Sequence, residues 1–126
     1  MEPSPNSLYS LVGGEAWFAE LVDRFYAGVA DDPVLRPLYP ADLTDSKAHM
    51  TGFLVQYWGG PQTYSEERGH PRLRMRHAPF PIDEQARDAW FRHMEAAVKA
   101  AGLAPEVEEQ VLAYFDNAAT HLINQP

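Results

Sequence analysis

Five histidines and three tryptophans stand out among the side chains through which this 126-residue chain can do more than pack. His77 lies in the stretch RLRMRHAPF, Arg72–Phe80, where three arginines alternate with apolar residues before the histidine. Pro79 and Pro81 follow, so only a turn or two of helix fits over residues 72–77. Leu73 precedes His77 by four residues. Its carbonyl can accept the Nδ1–H of the ring at a frayed helix end, which leaves Nε2 bare as a metal ligand. A histidine at the end of a helix is also favoured as a cation by the helix dipole, and the segment alone does not choose between the two. His49, His93 and His121 read as surface or edge histidines. His70 precedes a proline and reads as a turn residue.

Three aromatic residues with polar ends form a second set. Tyr26 falls on the apolar stripe of a helix, so its hydroxyl must find a partner inside. Tyr39 follows a chain breaker and a turn, in LYP. Trp90 points inward on a long helix and carries one N–H donor. Together they fit a partly polar pocket; singly, each also fits a core aromatic bonded to the backbone. Asp31-Asp32 and Glu66-Glu67 read as solvated acidic pairs in loops. The chain has no HExxH, no phosphate-binding glycine loop with lysine and no GxSxG. Its histidines are scattered singly, against a zinc site.

The elements that position these residues are helices. Apolar side chains at Trp17, Phe18, Leu21, Val22, Phe25, Tyr26 and Val29 make an amphipathic stripe over residues 15–30, after a short first helix over 7–11 and the glycines at 13–14. DDP at 31–33 breaks it, and a helical turn follows toward Tyr39. Residues 45–57 form a helix with Met50, Phe53, Leu54 and Tyr57 on one face and Thr44 or Asp45 as its N-cap. Residues 59–71 read as a loop, punctuated by Gly and Pro. Residues 83–101 follow as a helix capped by Asp83, then GLAP turns the chain into a last helix over 105–124. Strand-like alternation is missing, so the fold class is all-α.

The length fits one domain, here 7–126, after a flexible N-terminal arm over 1–6 that lacks the pattern of a secretory signal. A net charge of −8 disfavours nucleic acid. No apolar run approaches the ~20 residues of a membrane span. The absence of cysteine removes disulfides and thiolate chemistry and suits a cytoplasmic protein.

Three stretches carry a resemblance: RFYAGVADDPVLRPLYP, QYWGGPQTYSEERGHPRLRMRHAPF and RDAWFRHM. With them the chain resembles the group II truncated haemoglobins of actinobacterial type, from LVGG to the last helix. The resemblance implies a truncated globin fold, two helices over two, around one haem b. It implies His77 as the iron ligand, with Tyr26, Tyr39 and Trp90 around the bound gas, and Ser46 and Met50 on the distal face of the next helix. Phe53, Leu54, Leu73 and Phe80 would line the haem, and Arg76 and Tyr64 would meet its propionates, since guanidinium pairs well with carboxylate. O₂ and related diatomics are the ligands it implies. So donor-rich a pocket favours redox or scavenging chemistry on peroxide, nitric oxide or sulfide, peroxidase or nitric oxide dioxygenase-like, over oxygen transport. A reductase would be the partner, and a homodimer is one reading of the oligomeric state.

Overall fold

A computed structural model describes residues 7–125. Among the described residues the regular structure is entirely helical: α1 Leu8–Leu11, α2 Glu15–Ala30, a 3₁₀ turn Arg36–Leu38, α3 Thr44–Tyr57, α4 Thr63–Arg68, α5 Leu73–His77, α6 Glu84–Lys99 and α7 Pro105–His121. The arm expected over residues 1–6 lies outside them. The chain divides into two compact units. One comprises the chain up to Asp23 together with Ala41–Pro71, and the other Arg24–Pro40 together with the chain from Arg72 on.

In the first unit α3 packs against α4. Tyr9, Phe18 and Trp58 form an aromatic stack with centroid spacings of 6.2 and 6.1 Å, and the Tyr9 N–H donates to the Trp58 carbonyl. Gly60 makes room for this stack, because a Cβ there would stand 2.6 Å from both Tyr9 and Val55.

Two expectations fail in this unit. The segment 59–71 is not all loop, since its six residues between the flanking glycines and prolines, TYSEER, form α4. What folds them is tertiary: Gln56 on α3 holds Ser65 by two hydrogen bonds of 2.7 and 2.9 Å, and Tyr64 is buried. Neither Thr44 nor Asp45 caps α3. Leu43 is the cap residue, and Asp42 Oδ1 accepts the Thr44 N–H at 2.9 Å.

In the second unit α6 packs against α7. Asp83 caps α6, its Oδ1 accepting the Ala86 N–H at 2.8 Å. Arg87 ties the two helices, bonding Thr120 Oγ1 at 3.1 Å and pairing with Asp116. The last helix stops at His121, before the expected end at 124. Residues 124 and 125 turn back instead, and both backbone N–H groups donate to the Ile82 carbonyl, at 2.9 and 3.1 Å.

Candidate functional site

Tyr26, Tyr39 and Trp90 all lie in the second unit, and they meet. Tyr26 is buried on the second half of α2. Its ring stands edge-on to Tyr39, with centroids 5.5 Å apart at 88°. Phe25 packs on Trp90 at 5.2 Å, and Trp90 packs on Phe115 of α7 at 5.9 Å. Such pairs each add about 0.5–1.5 kcal/mol beyond burial, so the indole is wedged between two apolar rings.

The Tyr39 hydroxyl lies near the polar ends of both Trp90 and Tyr26. An indole N–H can only donate, and a phenol can donate or accept, so Tyr39 can accept from Trp90 and bond Tyr26 in either sense. Burial, foremost, raises both phenols: Tyr39 is pushed up to about 12 against the pull of its two polar neighbours, and Tyr26 higher still. Both stay protonated at neutral pH.

The turn that carries Tyr39 is built by Asp32. Its Oδ1 accepts the Val34 and Leu35 N–H groups at 2.8 and 3.2 Å, and its carbonyl accepts Arg36 N–H at 2.8 Å. Its Oδ2 bonds His93 Nε2 of α6 at 2.6 Å and Arg92 at 3.3 Å. The hydrogen bond from His93, above all, holds the Asp32 carboxyl below the ordinary carboxylate value; the two backbone donors help, and burial opposes them. Asp32 is thus not the solvated loop acid expected from DDP, and His93 is no plain edge histidine. Gly28, in the last turn of α2, and a histidine one turn past Trp90 were the signals for this contact.

His77 ends α5 in the same unit, half-buried, and its Nδ1 lies 2.6 Å from the Leu73 carbonyl. The carbonyl accepts, so Nδ1 carries a proton, and in the neutral ring Nε2 would be the nitrogen able to bind a metal. Arg72, just before α5, holds a left-handed backbone (φ 42°, ψ 52°), uncommon for a residue with a side chain. Asn124 fixes the segment after His77. Its Nδ2 donates to the His77 and Phe80 carbonyls at 3.3 and 2.9 Å, and its Oδ1 accepts the Ile82 N–H at 2.9 Å. Arg74 donates to the His121 carbonyl at 3.1 Å. Nothing in the helical pattern foretold Asn124, which lies past the last helix. Leu73 and Arg76 are half-buried and Phe80 is exposed.

The other expected site residues lie in the first unit. Ser46, Met50 and Phe53 are half-buried along α3, and Leu54 is buried. Phe53 meets Tyr64 edge-on at 5.8 Å. A cleft of about 420 Å³ opens on the opposite face of α3, lined by Ala48, Thr51, Gly52 and Val55 and reaching Tyr64 and Arg68.

The chain matches the family described as bacterial-like globin over residues 7–124. It is 43% identical over 125 residues to the group 2 truncated hemoglobin YjbI of Bacillus subtilis, covering 99% of this chain and 94% of that protein. The crystal structure of a hemoglobin from the thermophilic phototrophic bacterium Chloroflexus aurantiacus superposes with a TM-score of 0.91 at 54% identity, over 94% of this chain and 98% of that one. The X-ray structure of a truncated oxygen-avid haemoglobin from Bacillus subtilis gives 0.88 at 43%, over 94% and 100%.

Proposed function

This chain belongs to the bacterial-like globin family and is a truncated haemoglobin with haem b as its cofactor, and from that premise we propose that it retains O₂ and other diatomic ligands for redox or scavenging chemistry through His77 on one side and a Tyr39-centred network on the other. The residues present fit the cofactor. His77 offers one nitrogen, oriented by the Leu73 carbonyl, which would suit a haem iron, since such an iron needs only a single histidine from the protein. The family resemblance is what proposes Met50, Phe53, Leu54, Leu73 and Phe80 as apolar lining for the ring, and Arg76 and Tyr64 as partners for its carboxylates. When bound, the haem supplies a ferrous iron that takes O₂ and related gases.

The observation that carries this reading is the grouping of Tyr26, Tyr39 and Trp90, with the Tyr26 and Tyr39 rings edge-on at 5.5 Å and both phenols raised by burial. A Tyr39 hydroxyl that accepts from Trp90 or Tyr26 would be polarised and strengthened as a donor. A diatomic ligand that gains negative charge on binding is held by such a donor. Two hydrogen bonds of roughly 1 kcal/mol each would slow release about thirtyfold. Slow release serves chemistry on a held ligand better than delivery, and a relative of this chain is itself oxygen-avid. For Ser46 and Met50 of α3 a place near the ligand is proposed on the family resemblance alone.

The test is O₂ dissociation from the reduced protein, alongside Tyr39→Phe. The reading requires slow release in the parent and clearly faster release in the variant at unchanged haem content. Fast release in the parent, unaltered by the substitution, contradicts it.

A further inference from the structure

Asp32 is the one charged side chain in the described buried set, at 6% exposure. A buried carboxylate persists only where hydrogen bonds replace water, and the partners of Asp32 belong to two different structures. Oδ1 binds the N–H groups of Val34 and Leu35 and so shapes the turn after α2. From there the backbone bonds run on to the site: Leu38 N–H to the Leu35 carbonyl at 2.9 Å, and Tyr39 N–H to the Arg36 carbonyl at 3.2 Å. Arg36 Nη1 then closes on the Tyr39 and Pro40 carbonyls at 3.3 and 3.0 Å. Oδ2 instead reaches α6, at His93 and Arg92.

His93 follows Trp90 by three residues, one helical turn, so the two side chains are neighbours on α6. Its ring is seated on α2 as well. Gly28 has no φ that demands glycine, yet a Cβ there would lie 2.4 Å from His93 Nδ1. The bare backbone of Gly28, two residues after Tyr26, is the floor on which the imidazole rests. One imidazole therefore touches the helix of Tyr26, the turn of Tyr39 and the helix of Trp90.

We infer that Asp32 and His93 are positioning residues of the distal network: they fix the turn bearing Tyr39 against the helix bearing Trp90, and so set how these two side chains meet. This inference rests on the proposed role of Tyr39 in holding the ligand. Neither Asp32 nor His93 touches the ligand; they act through Tyr39 and Trp90.

His93→Leu keeps a side chain of similar bulk over Gly28 and removes the bond to Asp32. O₂ release from the reduced protein is expected to speed up by about threefold or more, the scale of one weakened hydrogen bond. In a Trp90→Phe background the same substitution is expected to add little, because the indole N–H it acts through is already gone. His93→Gln, which restores an N–H donor toward Asp32, is expected to return part of the slow release. A second readout is independent of ligand release. The indole N–H resonance of Trp90, identified by its loss in Trp90→Phe, is expected to move in His93→Leu and to move back in His93→Gln. Should His93→Leu fold poorly, Arg92→Leu and Asp32→Asn probe the same carboxylate from other sides. Release and indole resonance both unchanged in these variants, while Trp90→Phe speeds release, overturn the inference and leave the proposed function standing. Multiplicative effects of His93→Leu and Trp90→Phe overturn it too. Unchanged release in Trp90→Phe and Tyr39→Phe alike removes the reading on which it rests.

Discussion

The two regions of the second unit proposed to carry the chemistry are held in opposite ways. Tyr26, Tyr39 and Trp90 are grouped side chain to side chain, the Tyr26 and Tyr39 rings edge-on at 5.5 Å and the Tyr39 hydroxyl near both partners. His77 is held by main chain: the Leu73 carbonyl fixes its ring, and Asn124 fixes the carbonyls around it. The difference has a physical sense. A ligand-holding network gains from polarisable hydrogen bonds that cooperate. A metal ligand needs one fixed direction and one fixed tautomer, and a backbone acceptor four residues back provides both. Damage should therefore spread through the first region and stay local in the second.

The largest expected effect is at His77. His77→Ala should abolish stable haem retention, seen as loss of the Soret band on gel filtration. The folded state then loses a ligand that binds it alone, so the melting temperature should fall. A normal five-coordinate ferrous spectrum in this variant would break the comparison at its root.

Asn124→Leu comes next. It removes three hydrogen bonds and leaves the His77 and Phe80 carbonyls and the Ile82 N–H to find other partners, at a cost of about 1–3 kcal/mol. Haem transfer to an excess of an acceptor apoglobin should speed up several-fold, while O₂ release stays near the parental rate. An equal change in both rates would mean that the two regions are not separately held.

Trp90→Phe should do the reverse. It removes one donor and keeps most of the volume between Phe25 and Phe115. O₂ release should rise about fivefold, the equivalent of ~1 kcal/mol, with haem content unchanged by absorbance.

The smallest effect is on acid stability. The fold favours the ionised form of Asp32. Its contribution is thus present above the ordinary carboxylate value and is lost as pH falls through that value and then through the lower folded one. Urea unfolding between about pH 5 and pH 3 should show a steeper loss of stability in the parent than in Asp32→Asn. Parallel curves would show that the carboxylate adds nothing.

Much of this was legible in the sequence because it is periodic or local. The stripe through Leu21, Val22, Phe25 and Val29 placed Tyr26 inside, and the structure buries it. The spacing of Leu73 and His77 gave the 2.6 Å contact, since a helix brings such positions together. Asp83 announced itself as a cap by preceding an apolar stripe. What stayed hidden depends on partners far along the chain. Asp32 lies 61 residues from His93, and Asn124 lies 47 from His77. Helix α4 was lost for the same reason, its six residues being held by Gln56 rather than by their own pattern. Gly28 was a local clue to a distant contact, because a glycine within a helix costs stability unless close approach of a neighbour uses its bare backbone.

The grouping around Tyr39 is tested most directly by a double-mutant cycle with Tyr26→Phe and Tyr39→Phe, read as O₂ dissociation rates of the reduced protein. Tyr26 acts through Tyr39 in this account, so Tyr26→Phe should speed release when Tyr39 is present and do little in Tyr39→Phe. The coupling should amount to at least about 0.5 kcal/mol. The same acceleration by Tyr26→Phe in both backgrounds would contradict the account and show that the two phenols act on the ligand separately.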